Sequence, residues 1–127
     1  MFKIKKTRFK DLLIISGKTH SDKRGFLREV LLEKIIKKKF KFHIVSSSKK
    51  GVLRGLHFQT KNPQGKYVTV LKGKIFDVAV DLRKNSKTFG SYFCTELSDE
   101  NQLQLWIPKG FAHGFLTLSD KAYFEYK

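Results

Sequence analysis

The sequence predicts an all-β fold, a barrel or sandwich of short strands with one short helix. Apolar runs of about four to eight residues recur along the chain, with turn signals between them. Several runs alternate apolar and polar residues, and no segment keeps a helical period for long. At 127 residues, the chain is expected to form one domain spanning 1–127.

The predicted elements follow in chain order. Strands are expected at residues 2–7, 12–16, 26–32, 42–46, 66–72, 75–82, 92–97, 103–107, 115–118 and 122–126. Residues 33–40 form a basic helical turn, and the polar segments 17–24 and 46–51 are expected to be loops. In the strand 75–82, Asp77 and Asp81 share one face, and two acids on one face of an otherwise apolar strand require polar partners or water.

The net charge of +16 is typical of proteins that bind nucleic acid. Only five of the 27 basic residues are arginine, however, and arginine is the side chain that base and phosphate recognition favours. The lysines are mostly scattered. We therefore interpret them as a solvated surface that also attracts small anions, and we expect no nucleic-acid partner.

The single cysteine, Cys94, excludes an intrachain disulfide and a cysteine-based zinc cluster. This composition fits a reducing, cytoplasmic location. The N-terminus lacks an apolar run long enough for a signal peptide, and no run of about 18 apolar residues occurs, so we expect no membrane association.

Side chains with catalytic potential are concentrated in the segment 51–66. In a regular strand Arg54 and His57 would point to opposite faces, but Gly55 permits a bulge that brings both toward one pocket. Lys66 follows a glycine and can reach inward as an electrophile. A second glycine-rich segment holds His113, and Tyr126 lies next to the last residue. We expect strand pairing to bring these three pieces together in the mouth of one small barrel.

The two histidine segments have the spacings of cupin-barrel motifs, Gly51-x5-His57 and Pro108-x-Gly110-x-x-His113. In metal-binding cupins the first motif supplies His-x-His and a glutamate. Here Gln59 stands at the second histidine position, and the glutamate position falls near Pro63 and Gln64. Two imidazoles without a carboxylate are too few ligands for a stable metal site, so we expect no metal and assign the histidines to acid–base work or ligand binding.

Several segments, in order, resemble the dTDP-4-dehydrorhamnose 3,5-epimerase family. They are Asp22-x-Arg-Gly-Phe26, Lys50-Gly-Val-Leu-Arg-Gly-Leu-His-Phe-Gln59, Gln64-Gly-Lys66, Phe76-Asp-Val-Ala-Val-Asp-Leu-Arg83, Ser86-x-Thr-Phe-Gly90, Gln104-Leu-Trp-Ile-Pro108, Gly110-Phe-Ala-His-Gly-Phe115 and Tyr126-Lys127. The resemblance runs from about residue 12 to the last residue. It implies a cupin-like (double-stranded β-helix) barrel, usually a homodimer, that needs neither metal nor cofactor.

The resemblance also implies a reaction, the epimerisation at C3 and C5 of a nucleotide-linked 4-keto-6-deoxy sugar. Such an inversion needs a base on one face of the ring and a proton donor on the other. By resemblance His57 is the base, and Tyr126 is the acid, since a phenol ordinarily carries its proton at neutral pH. Lys66 and Arg54 would stabilise the developing charge on O4 or bind the diphosphate, and His113 would help to bind the substrate.

Two further residues, Arg24 and Glu29, match family positions that contact the nucleotide. The family relation suggests that they act across a homodimer, from an exchanged N-terminal strand. From the residues alone, a surface pair is the simpler interpretation of both.

The chain also departs from the family pattern. The base histidine of the family is usually oriented by an aspartate in a C-terminal region that has no counterpart in these 127 residues. We expect either that another acid takes this role, with Asp77 as the candidate, or that His57 is held less firmly. Where the family often has Gln-Asp-Asn, this chain has Phe42, His43 and Ile44, so a polar contact with the nucleotide or sugar is changed.

Four functions remain open on the sequence alone. The first is the 3,5-epimerase, and the second is a related cupin epimerase or ketoisomerase that acts on another nucleotide sugar. The third is an inactive, truncated binding module with a basic surface, and the fourth is a metal-dependent cupin oxygenase.

Overall fold

The computed structural model describes residues 2–61 and 63–127. These residues form twelve strands and one short helix, in the order β1 Lys3–Lys6, β2 Leu13–Ser16, β3 Thr19–Asp22, β4 Gly25–Arg28, α1 Glu33–Ile36, β5 Ile44–Lys49, β6 Leu53–His57, β7 Lys66–Lys72, β8 Lys74–Asp81, β9 Tyr92–Ser98, β10 Leu103–Ile107, β11 Phe111–Thr117 and β12 Lys121–Tyr126.

The strands form two antiparallel sheets and a separate hairpin. The six-stranded sheet has the order β1-β2-β10-β7-β12-β5, the four-stranded sheet has the order β6-β11-β8-β9, and β3 pairs with β4. The main core lies between the two sheets, and Val70, Phe124, Ile75 and Phe115 are buried there. The two sheets packed face to face confirm the predicted all-β, cupin-like fold.

A second apolar cluster covers the outer face of the six-stranded sheet. Ile15, Tyr67 and Trp106 are buried there against residues from the segment 30–40, which contains α1. The hydroxyl of Tyr67 donates a hydrogen bond of 2.7 Å to the carbonyl oxygen of Val30. No helix in the described ranges, 2–61 and 63–127, has the length and apolar character needed to span a bilayer.

The four-stranded sheet buries acidic side chains on its inner face and leaves large apolar side chains exposed. The acids Asp77 and Asp81 on β8 are fully buried on the inner face, whereas Phe76, on the outer face of the same strand, is 37% exposed. Leu53 of β6 and Tyr92 of β9 are also largely exposed. The prediction that the two acids share one face is therefore confirmed, and that face is the interior.

Five details of the predicted elements are wrong. Residues 19–22 form β3, because they pair with β4 in a hairpin, and β4 ends at Arg28. The serine-rich segment continues β5 as far as Lys49, since β12 supplies its hydrogen bonds. His113 lies inside β11, which starts at Phe111, and α1 ends at Ile36.

Asp81 is the most heavily hydrogen-bonded buried acid of β8. Its oxygens accept hydrogen bonds from the Arg83 guanidinium at 3.0 Å, from the Ser86 hydroxyl at 2.6 Å and from the Thr88 hydroxyl at 2.5 Å. Burial alone would raise the pKa of this carboxyl, but the hydrogen bonds from these three residues outweigh it and hold the pKa well below its usual range. The ionised carboxylate therefore stabilises the folded state and fixes the 83–88 turn against β8.

We expect Asp81→Asn to lower the free energy of unfolding by about 3 kcal/mol at pH 7, because the amide has no charge to pair with Arg83 and replaces one of the two acceptor oxygens with an NH2 donor. A carboxyl whose pKa is lowered in the folded state stabilises the protein above its unfolded pKa and loses that contribution as the pH falls. The difference between the two proteins should therefore shrink between about pH 5 and pH 2 in chemical denaturation experiments.

The control is Asp22→Asn, which removes a carboxylate paired with Arg24 at 2.7 Å on an exposed hairpin. Exposed pairs contribute little to stability, so its unfolding midpoint should match that of the unchanged protein. Equal destabilisation by both substitutions would contradict the role assigned to Asp81.

Candidate active site

A cavity of about 540 Å³ opens where β6 ends and β7 begins. Three of the side chains predicted to be catalytic or substrate-binding line it, namely His57 at the end of β6, Lys66 at the start of β7 and Tyr126 at the end of β12. The structure thus brings together residues that are up to 69 positions apart in the chain, as residues 57 and 126 are. A cavity of this size is within the usual range for small-molecule sites.

Strand pairing fixes the position of Tyr126. Strand β12 lies between β5 and β7, and Tyr126 pairs with Ile44 on one side and Val68 on the other. Its ring packs against Phe124, with 5.8 Å between the centroids. The backbone of Lys127 forms two hydrogen bonds with that of Tyr67, at 2.9 and 3.0 Å, which hold the end of the strand in the sheet.

Lys66 lies beside the phenol. Its ammonium nitrogen is 5.6 Å from the centre of the Tyr126 ring, within the range of a cation–π contact. Burial lowers the pKa of Lys66, and the charge of Asp77 partly opposes that shift. A lysine with these neighbours can place a positive charge next to a carbonyl oxygen.

A bulge in the pairing of β6 with β11 aligns Arg54 with His57. His57 pairs with His113, and Arg54 pairs with Phe115, so the pairing register shifts between them. Because residues 113 and 115 share one face of β11, Arg54 and His57 also share a face despite their odd spacing. The expected bulge at Gly55 is confirmed.

Glycine is required on both strands at this bulge. Gly55 has a φ of +102°, and a Cβ atom there would lie 2.6 Å from the carbonyl oxygen of His113. A Cβ atom on Gly114 would lie 2.7 Å from the carbonyl oxygen of Arg54. A side chain at either position would push the strands apart, and so would move His57.

Arg54 itself is directed toward β5. Its Nε donates a hydrogen bond of 2.9 Å to the Ser48 hydroxyl, and Nη2 donates one of 3.4 Å to the carbonyl oxygen of Ser47. The residues found to line the cavity do not include Arg54. The guanidinium therefore lies outside this cavity while sharing the face that carries His57.

Two further predicted residues, His113 and Asp77, form a pair in the barrel interior. Nε2 of His113 is 2.8 and 3.0 Å from the two carboxylate oxygens of Asp77, and both residues are buried. The His113 ring also stacks on Phe124, with 6.0 Å between centroids. The sequence offers Asp77 as a candidate acid to orient His57, but its carboxylate faces His113. The reason is the register of β8 and β11, which sets Asp77 opposite Phe115 and puts both side chains on the interior face beside His113.

Arg24 and Glu29 are not part of this cavity. Arg24 lies on the β3–β4 hairpin, where it is bonded to Asp22 and lines a separate surface concavity with His20. Glu29 follows β4, and its backbone N–H donates a hydrogen bond of 2.8 Å to the carbonyl oxygen of Lys18. Within one copy of the chain, the structure does not bring either residue to His57.

Sequence reasoning missed the apolar walls of the cavity. They consist of Phe42, Ile44, Leu56, Phe58 and Phe111. Because side chains alternate between the two faces of a strand, Ile44 shares a face with Ser46 and Ser48. This signal is lost when the serine-rich segment is interpreted as a loop. An adjoining cavity of about 480 Å³ shares Phe42, Lys66 and Tyr126 with the first and adds Lys39, Lys41 and Lys127 to the lining.

Metal-ligating side chains are not clustered in the parts of the chain that the structure describes. No three His, Cys, Asp or Glu side chains among residues 2–61 and 63–127 are placed to hold an ion together. The arrangement at the cavity offers an imidazole, an ammonium group and a phenol, which are groups that can move protons and stabilise a negatively charged oxygen.

Comparison with known proteins relates nearly the whole chain to one enzyme family. The dTDP-4-dehydrorhamnose 3,5-epimerase family model matches residues 6–127. The dTDP-4-dehydrorhamnose 3,5-epimerase of Methanothermobacter thermautotrophicus is 48% identical over 99% of this chain and 71% of its own length. That of Salmonella typhimurium is 52% identical over 96% of this chain and 70% of its own.

A solved structure extends the similarity to the fold. The dTDP-6-deoxy-D-glucose-3,5-epimerase RmlC from Legionella pneumophila, in complex with dTDP-4-keto-L-rhamnose, superimposes with a TM-score of 0.95. It is 47% identical and covers 100% of this chain, which spans 71% of the Legionella protein. On the strength of its sequence and its fold, this chain belongs to the dTDP-4-dehydrorhamnose 3,5-epimerase family.

Proposed function

We propose that this protein epimerises dTDP-4-dehydro-6-deoxy-D-glucose at C3 and C5 to give dTDP-4-dehydro-L-rhamnose. The observation that carries the proposal is that His57, Lys66 and Tyr126 line one open cavity. Its volume of about 540 Å³ is sufficient for a pyranose ring and part of the diphosphate. Family membership supports the same reaction, since the similar proteins carry this activity in their names.

The chemistry depends on the C4 carbonyl of the substrate. Carbons 3 and 5 flank this carbonyl, so the loss of a proton from either gives an enolate whose charge lies on O4. Lys66 is the cation that would stabilise this oxygen, because its ammonium group is partly withdrawn from water at the cavity. A single well-placed group of this kind is typically worth about 10²- to 10³-fold in rate.

Inversion requires the proton to leave one face of the ring and to return on the other. In the proposal, the imidazole of His57 removes the proton from C3 and C5, and the phenol of Tyr126 delivers one from the opposite face. The two side chains belong to different sheets, which suits a ring bound between them. Solvent then restores the protonation states of both groups.

The other polar residues have supporting roles in this proposal. The His113–Asp77 pair presents a second, firmly held imidazole in the barrel interior behind the ring. Arg54 would bind an anionic part of the substrate, since its guanidinium is fixed by Ser48 near the cavity. No metal or cofactor has a role in this mechanism.

The test is isotope exchange in heavy water with dTDP-4-dehydro-6-deoxy-D-glucose, followed by NMR at C3 and C5. The unchanged protein should incorporate deuterium at both positions and invert them. His57→Ala should reduce exchange by about 10²- to 10⁴-fold, because no base remains. Tyr126→Phe should retain exchange, because His57 can remove a proton and return a deuteron to the same face, but it should lose inversion by a similar factor.

Two substitutions of the same kind at exposed positions provide controls. His43→Ala and Tyr92→Phe should leave exchange and inversion unchanged, since neither side chain is among those that line the cavity. Folded, unchanged protein that exchanges neither proton would refute the proposed activity. If Tyr126→Phe lost as much exchange as His57→Ala, the assignment of His57 as the base and Tyr126 as the acid would be refuted.

We also propose that the protein acts as a homodimer in which the β3–β4 hairpin reaches the neighbouring copy. Among residues 2–61 and 63–127, strands β3 and β4 pair only with each other, and Phe26 and Leu27 of the hairpin are 63% and 64% exposed. Two large apolar residues this exposed on one strand of a hairpin favour burial against another chain. The exchange would also account for Arg24 and Glu29, which in one copy lie away from the cavity.

Light scattering with size exclusion tests this association. The unchanged protein should have the mass of a dimer, and the double substitution Phe26→Asp with Leu27→Asp should shift it to the monomer mass. Phe89→Asp is the control, because Phe89 is 55% exposed in a different turn. A monomeric unchanged protein would contradict the proposal.

A cytoplasmic location remains a proposal that rests on the thiol of Cys94. This side chain is exposed on β9 and has no disulfide partner. A free surface thiol is typical of a reducing compartment.

A further inference from the structure

The wall of the cavity next to Tyr126 is apolar. Ile44, at the start of β5, is directly opposite Tyr126 in the register of β5 and β12, and both side chains line the cavity. Directly paired residues of antiparallel strands project from the same face and lie side by side. The phenol therefore has an isoleucine as its immediate neighbour.

Ile44 points into the barrel and not away from it. Strand β5 alternates, so Ile44 shares its face with Ser46 and Ser48, and Ser48 is 4% exposed and bonded to the inward-facing Arg54. On the facing strand, the partner of Ser46 is the buried core residue Phe124. Of Ile44, Ser46 and Ser48, Ile44 lies nearest the mouth of the cavity. Its side chain is 37% exposed, so part of its surface faces the cavity and not the core.

The stereochemistry of the proposed reaction places the C6 methyl group of the sugar on the side of the ring where Tyr126 and Ile44 lie. At C5 of the substrate, the hydrogen and the C6 methyl group lie on opposite sides of the mean plane of the ring. The hydrogen is axial and faces the base, His57, whereas the methyl group is equatorial and projects from the rim of the ring, tilted toward the side of the acid, Tyr126. Inversion then carries the methyl group to the other side.

We propose that Ile44 determines specificity for the 6-deoxy sugar by contacting the C6 methyl group of the bound substrate. This inference rests on the proposed function, because the places of His57 and Tyr126 fix the orientation of the ring. A hydroxymethyl group at C5 would put its hydroxyl against Ile44, where the isoleucine offers no hydrogen-bond partner. Phe42, 47% exposed and lining the same cavity, continues this apolar wall.

The size of the effect is bounded by the type of contact. An apolar pocket discriminates against an added hydroxyl by no more than about 100-fold, so we expect the unchanged protein to prefer the 6-deoxy sugar about 10- to 100-fold in kcat/KM. The preference should appear mainly in KM, since the contact is made in the bound substrate and is kept while His57 removes the C5 proton, before inversion moves the methyl group.

The experiment compares Ile44→Val with Ile44→Thr, which have nearly the same shape and differ by a hydroxyl in place of a methyl. Deuterium exchange at C3 and C5 is measured with dTDP-4-dehydro-6-deoxy-D-glucose and with the dTDP-4-ketoglucose that retains the C6 hydroxyl. Val45→Thr makes the same type of change on the outer face of β5, where the side chain is 57% exposed. Calorimetric binding of dTDP alone reports whether each variant keeps its fold and its nucleotide contacts.

The expected result is that Ile44→Val keeps the preference within about threefold, whereas Ile44→Thr reduces it about 10-fold, with dTDP binding unchanged in both. Val45→Thr should keep the preference of the unchanged protein. Equal preferences in the Val and Thr variants, with an active unchanged protein, would overturn the role of Ile44 and leave the proposed function intact. An unchanged protein that binds dTDP but exchanges neither sugar would overturn both.

Discussion

The pairing of β12 with β5 and β7 is the constraint on which the candidate active site depends. This strand carries Phe124 into the core between the sheets and Tyr126 to the cavity two residues later. Its end is held by the two backbone hydrogen bonds between Lys127 and Tyr67. Because Tyr67 is itself buried under the segment 30–40, the position of the phenol is coupled to the packing on the outer face of the sheet.

The barrel interior separates its charges into two groups. Near the cavity, Lys66 and the His113–Asp77 pair provide one buried region in which opposite charges offset each other. At the other end of β8, Asp81 is paired with Arg83 and two hydroxyls, and this group holds a turn in place. Buried acids that are fully bonded cost little and rigidify their surroundings, whereas an acid left unpaired in either place would destabilise the fold. The same strand thus supplies one acid to the pair with His113 and one to the 83–88 turn.

The sequence predicted the parts of this structure that depend on local pattern. Alternation along β8 placed Asp77 and Asp81 on one face, and the glycine between Arg54 and His57 predicted the bulge that aligns them. The pairing partners could not be predicted, because strand order is set by contacts between distant segments. For this reason Asp77 was considered as a partner for His57, and only the register of β8 with β11 shows that it serves His113. The sequence places Ile44 at a changed nucleotide or sugar contact but not beside Tyr126, since that pairing involves the strand β12, more than seventy residues away.

In the proposed mechanism, His57 and Tyr126 act from opposite faces of one sugar ring. The most direct measurement is a crystal structure of the protein with a dTDP-linked sugar that lacks the C4 carbonyl and so cannot react. The account predicts that the ring lies in the cavity between β6 and β12, with the imidazole and the phenol on opposite faces and each within about 3.5 Å of the carbons they serve. A ring bound outside this cavity, or one with both groups on the same face, would contradict it.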